Sequence, residues 1–262
     1  MISAWDRVQL SRSLNRAKPI DYINYLFRDI IFLKGDRLFS NDNSLHTGIA
    51  LFNNTPITFI ACGKNHTIEE NIKANFGMIN PEGYRKAIRI MKQAEKFNRP
   101  VITFIDTQGA YPGIGAEERG QGEAIARCIM TMQNLKVPTI AIVTGEGGSG
   151  GALAFSMGNK IFMLENAVYS ILSPEGFSSI LYGNKSNLEQ SSEIMKLTSF
   201  DLKKFGIIDE IIYETPDFNL GEYTSVFENL KYRLEIELSG LLKKNSKTLL
   251  KERLKKFRNI GY

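Results

Sequence analysis

The chain has 262 residues, of which 43% are apolar and 23% are charged, as in an ordinary water-soluble globular protein. It lacks an apolar run of about 18 residues and a signal-peptide pattern at its start, so we expect neither membrane association nor secretion. The two cysteines, Cys62 and Cys128, are far apart, which argues against a disulfide scaffold or a zinc site and fits the reducing cytoplasm.

The net charge of +5 is concentrated at the C-terminus. Residues 243–262 hold eight lysines or arginines and one glutamate, so the rest of the chain is slightly acidic. A basic tail could contact nucleic acid, a phosphate-bearing ligand or an acidic partner subunit. We favour the interpretation that the tail is an amphipathic helix whose basic face is solvated and binds no ligand. Its apolar side chains would then face the body of the protein: Leu249, Leu250, Leu254 and Phe257. Nucleic acid is not expected as a partner, because basic and aromatic residues do not interleave elsewhere.

In the first third of the chain, helices are predicted first and a β-hairpin after them. Residues 1–34 are expected to be helical, and two apolar runs around Asn53-Asn54 predict a β-hairpin. A polar loop over 63–80 ends at Asn80-Pro81, a cap followed by proline at the first helical position. Apolar side chains at helical spacing then predict a core-facing helix that ends near Phe97.

Beyond Pro100 the chain alternates buried strands with helices. Strands are predicted at 101–106, 138–144, 161–164, 168–172 and 207–212, and helices at 122–135, 151–158, 173 onward, 187–205 and 222–257. Strands that are joined by helical crossovers pair in parallel, with the helices against the sheet. The sequence therefore predicts a single α/β domain.

The stretch GEGGSGG at 145–151 can be interpreted in more than one way. Gly145, Gly147 and Gly150 spell the dinucleotide fingerprint G-x-G-x-x-G between a strand and a helix. Glu165, twenty residues after Gly145, stands where this motif has the acidic residue that binds the ribose. This fingerprint usually opens the first βα unit of a domain, whereas here a hairpin, two helices and two strands come before it.

The same stretch also spells G-x-S-x-G, the nucleophile elbow of hydrolases, centred on Ser149. The only histidines are His46 and His66, and both precede the serine in polar segments. A Ser-His-Asp site would have to recruit one of them, with Asp106 as the acid. A phosphate-binding P-loop is excluded, because no lysine follows Gly150.

A third interpretation relies on the backbone. Five glycines in seven positions allow the main chain to approach a ligand closely. The first N–H groups of the next helix have no internal partner, and two of them aimed at one point would form an oxyanion hole. Alternatively, the glycines serve only tight packing between helix and strand. A second glycine-rich loop follows the preceding strand, with Gly109, Gly113 and Gly115, and should border the same cleft.

Four long segments of the chain resemble one known family. They are NFGMINPEGYRKAIRIMKQAEKF, FIDTQGAYPGIGAEERGQGEAIA, GEGGSGGALA and SPEGFSSIL, and they resemble the short-form α subunits of bacterial acetyl-CoA carboxylase carboxyltransferases. The likeness runs in order from about Trp5 to the C-terminus. It implies an α/β crotonase-type (ClpP/crotonase) fold, a spiral of ββα units in one domain. Helices would occupy 1–34, the crotonase-type core 35–215 and the basic helical segment 216–262.

The resemblance also implies an activity and its partners. The α subunit would transfer the carboxyl group of carboxybiotin, held on the biotin carboxyl carrier protein, to acetyl-CoA. The product would be malonyl-CoA, for fatty acid biosynthesis. Biotin carboxylase would recharge the biotin with ATP. A β subunit with a zinc ribbon would complete the active site in an α2β2 heterotetramer, while this chain itself would hold no metal and no covalent cofactor.

By position, the resemblance assigns the ureido oxygen of biotin to the backbone N–H groups of Gly150 and Gly151. The other assigned residues shape the turn or line the biotin side of the cleft: Gly147, Gly148, Ser149, Gly109, Ala110, Tyr111, Pro112 and Gly113. The sequence departs from the family at Gln108, where proline is common.

Two other functions remain open at this point. A stand-alone acyl-CoA hydratase or isomerase of the same fold would need an acidic side chain over the acyl site, and Glu146 is the candidate. A non-catalytic assembly homologue would bind the β subunit without turnover. Arg119 either anchors a carboxylate or pairs with Glu117 or Glu118.

Overall fold

The computed structural model describes residues 2–184 and 186–261. The strands are β1 Arg28–Phe32, β2 Leu45–Phe52, β3 Thr55–Cys62, β4 Val101–Thr107, β5 Thr139–Gly148, β6 Lys160–Leu164, β7 Val168–Ser170 and β8 Glu210–Ile212. The α-helices are α1 Ala4–Ser11, α2 Pro19–Leu26, α3 Ile68–Lys73, α4 Pro81–Lys96, α5 Ile114–Glu118, α6 Gln121–Gln133, α7 Ser149–Ser156, α8 Pro174–Tyr182, α9 Leu188–Met195, α10 Ser199–Lys204, α11 Thr224–Leu242 and α12 Ser246–Arg258. No helix in this described part combines the length and apolar character that a membrane crossing needs.

The strands form a mixed sheet in the order β1-β2-β3-β4-β5-β6-β8. β2 is antiparallel to β1 and β3, whereas the pairs from β3 to β8 are parallel. The predicted hairpin is confirmed, and its turn residues Asn53 and Asn54 have φ values of 45° and 64°, as a two-residue hairpin turn requires. β5 runs four residues further than expected, through Gly148, and its end pairs with β7.

The prediction that residues 1–34 are entirely helical is wrong over 28–32, which form the edge strand β1. Four of its five residues are exposed, and Asp29 has a positive φ of 51° beside a break in register with β2. Pairing with β2 outweighs the helical spacing of the apolar residues here, and the bulge is typical of an edge strand that must not extend further.

Three other elements differ from the sequence predictions. Helix α3 lies inside the segment that was expected to be a loop, and a capping box between Thr67 and Glu70 begins it. The predicted helix over 187–205 is interrupted at Lys196, which has a left-handed φ of 52°. The C-terminal helical region is divided into α11 and α12.

Helices cover the central strands on both faces. The Thr103 hydroxyl of β4 donates to the Phe155 carbonyl of α7, so that side of the sheet faces α7. The next side chain, Phe104, points to the opposite face and stacks on Tyr22 of α2 at 5.6 Å between ring centroids. All seven residues of β4 are buried, as expected of a central parallel strand.

The basic C-terminal helix α12 docks onto the body largely as predicted. Leu249 is buried and Phe257 packs against the core, but Leu254 is 39% exposed and does not face the body. The anchor that the sequence did not reveal is Arg253, which is fully buried. Its guanidinium donates to the carbonyls of Leu135 at 2.7 Å and Val137 at 3.2 Å, to two carbonyls near the end of α6, and to the Asn159 side chain.

We expect Arg253→Met to lower the free energy of unfolding by about 3 kcal/mol, because it leaves several buried carbonyls without a donor. Urea denaturation would measure the change. The exposed Lys255 on the same helix provides the control, since Lys255→Met should change stability by less than about 0.5 kcal/mol. Equal effects of the two substitutions would show that Arg253 does not anchor the helix.

Candidate active site

The two glycine-rich turns meet directly at the carboxyl ends of β4 and β5. Thr107 pairs with Gly147 across these strand ends. A Cβ atom at Gly148 would lie 2.1 Å from the carbonyl oxygen of Gln108, and one at Gly151 would lie 2.6 Å from the carbonyl carbon of Gly109. The expectation that both loops border one place is therefore correct, and Gly148 and Gly151 are needed for the packing between them.

Gly150 stands in a different environment from its neighbours. A Cβ atom there would meet the side chain of Ile125 at 3.3 Å and no backbone within 4 Å. Ser149, the residue before it, has a left-handed φ of 52° and an exposed side chain. A side chain at Gly150 would therefore press on a side chain that can adjust, whereas one at Gly148 or Gly151 would collide with backbone.

Several main-chain amides near this contact have no hydrogen-bond acceptor among the described residues. They belong to Gly150 and Gly151, in the first turn of α7, where the N-cap Gly148 offers no side-chain cap. The amide of Ala110 also lacks an acceptor there, and its nitrogen would lie 3.0 Å from a Cβ atom at Gly151. Unengaged amides at a helix N-terminus carry partial positive charge, so this place suits an anionic oxygen.

Two cavities flank the turn. The polar cavity, of about 280 Å³, is bordered by Gln108, Ala110, Pro112, Gly148 and Arg12 among others. The apolar cavity, of about 470 Å³, is bordered by Gly150, Leu153, Tyr169, Ile171 and Ile207 among others. Tyr111 and Gly113 continue the first loop, and the Tyr111 ring lies over Gly113, where a Cβ atom would meet it at 2.3 Å.

A buried cluster of charged side chains surrounds Glu146, at the end of β5 and directly before the second glycine turn. Glu146, only 6% exposed, accepts a hydrogen bond from Arg12 Nε at 2.7 Å and another from Lys64 Nζ at 2.8 Å. Its own amide donates to Asp106 at 2.9 Å, and Arg12 reaches Glu175 of α8 at 2.6 Å. Burial alone would raise the pKa of Glu146, but Lys64 and Arg12 outweigh burial and hold that pKa below its ordinary value.

From the sequence, Glu146 was expected only as the acid of a hydratase, and Arg12, Lys64 and Glu175 were not expected at the site. Arg12 and Lys64 lie 134 and 82 residues from Glu146, so no local spacing links them to it. With both carboxylate oxygens engaged by cations, Glu146 is a structural anion rather than a free acid.

The structure does not assemble a Ser-His-Asp site. His66 bonds Asp21 at 2.9 Å, and His46 borders a different cavity. Asp106 instead receives the amide of Glu146, and Ser149 makes no side-chain contact with either histidine in the described residues.

Two other sequence interpretations also find no support. Glu165 accepts the amide of Glu214 at 3.1 Å and lies close to Arg7, away from the glycine turn. Arg119 pairs with the carboxylate of Glu82 at 2.7 Å, so the expected ion pair with Glu117 or Glu118 is wrong.

A family model described as acetyl co-enzyme A carboxylase carboxyltransferase-like matches residues 1–261. The chain belongs to this family. It is 48% identical over 260 residues to the acetyl-coenzyme A carboxylase carboxyl transferase subunit alpha of Clostridium acetobutylicum, a match that covers 99% of this chain and 95% of the relative. It is also 50% identical to the carboxyl transferase subunits beta/alpha of Clostridium tetani, where it covers 99% of this chain and 45% of the relative.

Solved structures with low sequence identity share the fold. Transcarboxylase 12S with hydrolysed methylmalonyl-coenzyme A bound matches at a TM-score of 0.65 and 17% identity, over 84% of this chain and 40% of that one. A Pseudomonas malonate decarboxylase hetero-tetramer in complex with coenzyme A matches at a TM-score of 0.66 and 17% identity. The match covers 80% of this chain and 84% of that one. The predicted α/β crotonase-type fold is confirmed, and family membership favours a carboxyltransferase α subunit over a stand-alone hydratase.

We expect Gly148→Ala and Gly151→Ala each to lower the free energy of unfolding by about 1–3 kcal/mol, because an added methyl group collides with the opposite backbone. Gly150→Ala is the matched control and should not lower the free energy of unfolding, because alanine is the better helix former and its methyl group meets only the Ile125 side chain. Guanidinium denaturation of the three variants would measure this. If Gly148→Ala and Gly151→Ala were as stable as Gly150→Ala, the two turns would not be in contact.

Glu146→Gln should destabilise the fold by about 3 kcal/mol at neutral pH, since Arg12 and Lys64 lose their shared carboxylate. Because the pKa of Glu146 is lowered in the folded state, its contribution is complete above its ordinary value and is lost as the pH falls through the lowered one.

Urea denaturation between neutral pH and about pH 3 should therefore show the wild-type and Glu146→Gln curves converging in acid. The exposed Glu189 supplies the control, for which Glu189→Gln should differ little from the wild type at any pH. A constant gap between wild type and Glu146→Gln would contradict the ion-pair interpretation.

Proposed function

We propose that this chain, with a β subunit, provides the biotin side of an active site that transfers a carboxyl group to acetyl-CoA. The product is malonyl-CoA. The other partners are the biotin carboxyl carrier protein and biotin carboxylase, in an α2β2 carboxyltransferase of the cytoplasm. Support comes from the family to which the chain belongs and from relatives that are named as alpha subunits or as beta/alpha subunits.

The observation that carries the proposal is the set of unengaged amides at Gly150 and Gly151. Carboxybiotin on the carrier protein supplies the carboxyl group, and negative charge gathers on its ureido oxygen as that group departs. The two N–H groups hold this oxygen and stabilise the charge that develops on it. One such donor contributes about 3 kcal/mol to the lowering of a barrier. The Ala110 amide, close to Gly151, is a third donor to the same hole in this proposal.

The other residues of the site position these donors. Gly147, Gly148 and Ser149 set the turn, and the loop from Gly109 to Gly113 lines the cleft with Ala110, Tyr111 and Pro112. Gln108 borders the polar cavity with an exposed side chain, and glutamine in place of the family's common proline removes no N–H group.

The enolate of acetyl-CoA needs a second oxyanion hole, which we assign to the β subunit. The apolar cavity beside Gly150 supports this division, because its wall is open in the isolated chain. Ile171 is 78% exposed and Leu153 is 39% exposed there. Apolar side chains exposed next to a reactive turn favour coverage by a partner, which would also exclude water from the transfer.

Gly150→Pro tests the donor directly, because proline has no N–H and is tolerated in the first turn of a helix. In the reconstituted α/β complex we expect kcat for biotin-dependent malonyl-CoA decarboxylation to fall by roughly 10²–10³. Gly150→Ala keeps the N–H and adds a comparable Cβ atom, so its kcat should stay within about tenfold of the wild type. Unfolding curves and β-subunit binding would verify that both variants are intact.

Full activity of a folded Gly150→Pro variant would show that this amide is not a donor. Tight binding of the β subunit by the wild type without any turnover would identify an assembly homologue instead. Hydration of enoyl-CoA by the chain alone would favour the hydratase.

A further inference from the structure

A separate cavity of about 540 Å³ lies beside the sheet edge, away from the glycine turns. We call it the edge cavity and define it by Lys34, His46, Asn65, Lys73 and Lys86, which all line it. β2, α4 and the loop that follows β3 contribute to its walls. Nothing in the carboxyl transfer described above uses these side chains.

Part of the edge cavity is apolar. Phe32, Leu33 and Leu45 line it, and the Phe32 ring meets the His46 ring edge to face at 6.3 Å between centroids. This surface is suited to the carbon skeleton or ring of a small molecule, and the charged residues around it would fix the orientation of that molecule.

The charge of the edge cavity is positive and largely uncompensated. Lys34 and Lys73 are exposed, and neither pairs with a carboxylate in the part of the chain that the structure describes. Lys86 is buried, and its ammonium donates to the Asn41 side chain at 2.9 Å and to the carbonyls of Asp42 and Leu45, each at 2.7 Å. The cation is therefore held by neutral oxygens.

The acidic groups near the edge cavity are hydrogen-bonded to neighbouring amides and hydroxyls and not to Lys34 or Lys73. Glu70 lines the cavity, but its carboxylate accepts hydrogen bonds from the amide and the hydroxyl of Thr67 at 3.3 and 3.1 Å, where it caps α3. The Asp42 carboxylate is buried behind the wall and accepts from Ser44 at 2.7 Å and from the amide of Asn80 at 2.7 Å. An anion that entered would meet Lys34 and Lys73 without displacing a carboxylate.

We propose that the edge cavity binds a phosphate-bearing ligand with an aromatic or apolar body. Lys34 and Lys73 contact the phosphate oxygens, and the surface of Phe32, Leu33 and Leu45 contacts the body. Two flexible lysines bind phosphate as point charges, and a multiply charged anion gains the most from them.

The edge cavity is connected to the glycine turn through adjacent residues. Asn65 lines the cavity, and its neighbour Lys64 bonds Glu146, two residues before Gly148. A ligand that orders this loop thus acts on the element that holds the turn in place.

His46 provides a readout of binding inside the cavity. Burial lowers the pKa of His46, and the positive charges of Lys86 and Lys34 lower it further, while Asn65 and Glu70 act in the opposite direction. An anion bound beside Lys34 should raise this pKa. The chain has only one other histidine, His66, which bonds Asp21 and does not line the cavity, so its ring is an internal control.

The test is a titration of the full-length chain with inorganic pyrophosphate, followed by NMR of the two histidine rings, with sodium chloride at matched ionic strength. His66→Asn assigns the resonances. We expect a saturable shift and a raised pKa at His46 below about 20 mM pyrophosphate, with no saturable change at His66. The double variant Lys34→Ala/Lys73→Ala should weaken binding at least about tenfold, whereas Lys92→Ala/Lys96→Ala, on exposed positions of α4, should not.

A second titration with ADP separates the two halves of the proposal. ADP should bind at least about tenfold more tightly than pyrophosphate if the apolar surface holds the body of the ligand. Equal affinities would overturn that half. A His46 signal that does not saturate, that follows the sodium chloride control, or that persists in Lys34→Ala/Lys73→Ala would overturn the anion site itself.

Discussion

The site depends on one contact, in which the main chains of two glycine turns touch at a distance that leaves no space for side chains. Gly148 lies against Gln108 and Gly151 against Gly109, and a Cβ atom at either position would sit well inside van der Waals distance of backbone. This contact brings the start of α7 next to the loop after β4. The unengaged amides of Gly150 and Gly151 therefore lie next to the amide of Ala110, which comes from the other turn.

Charged side chains hold the second glycine turn in place. Glu146 lies directly before the turn, and its carboxylate joins Arg12 near the N-terminus to Lys64 in the loop after β3. Arg12 continues to Glu175 at the start of α8. Three distant segments are thus held to the end of β5 by charges that are largely removed from water. Such pairs are weak sources of net stability, but the loss of one partner is costly, which favours a single arrangement of the turn.

Regular elements with strong local patterns could be predicted from the sequence, and contacts between distant residues could not. The hairpin at Asn53-Asn54 and the helix that begins at Pro81 were both confirmed. The Asn80 side chain, which was expected to cap that helix, makes no cap hydrogen bond. The strand at 28–32 was missed because pairing with β2, not its own pattern, determines its structure. The two glycine turns were located correctly, whereas their cation support at Arg12 and Lys64 has no local signal.

The most direct measurement is a crystal structure of the α/β complex with a biotin analogue. We expect the ureido oxygen to lie about 3 Å from the amide nitrogens of Gly150 and Gly151, with the ring beside the loop from Gly109 to Gly113. A ureido oxygen bound by other groups would contradict it. So would amides at Gly150 and Gly151 that are already bonded within the complex.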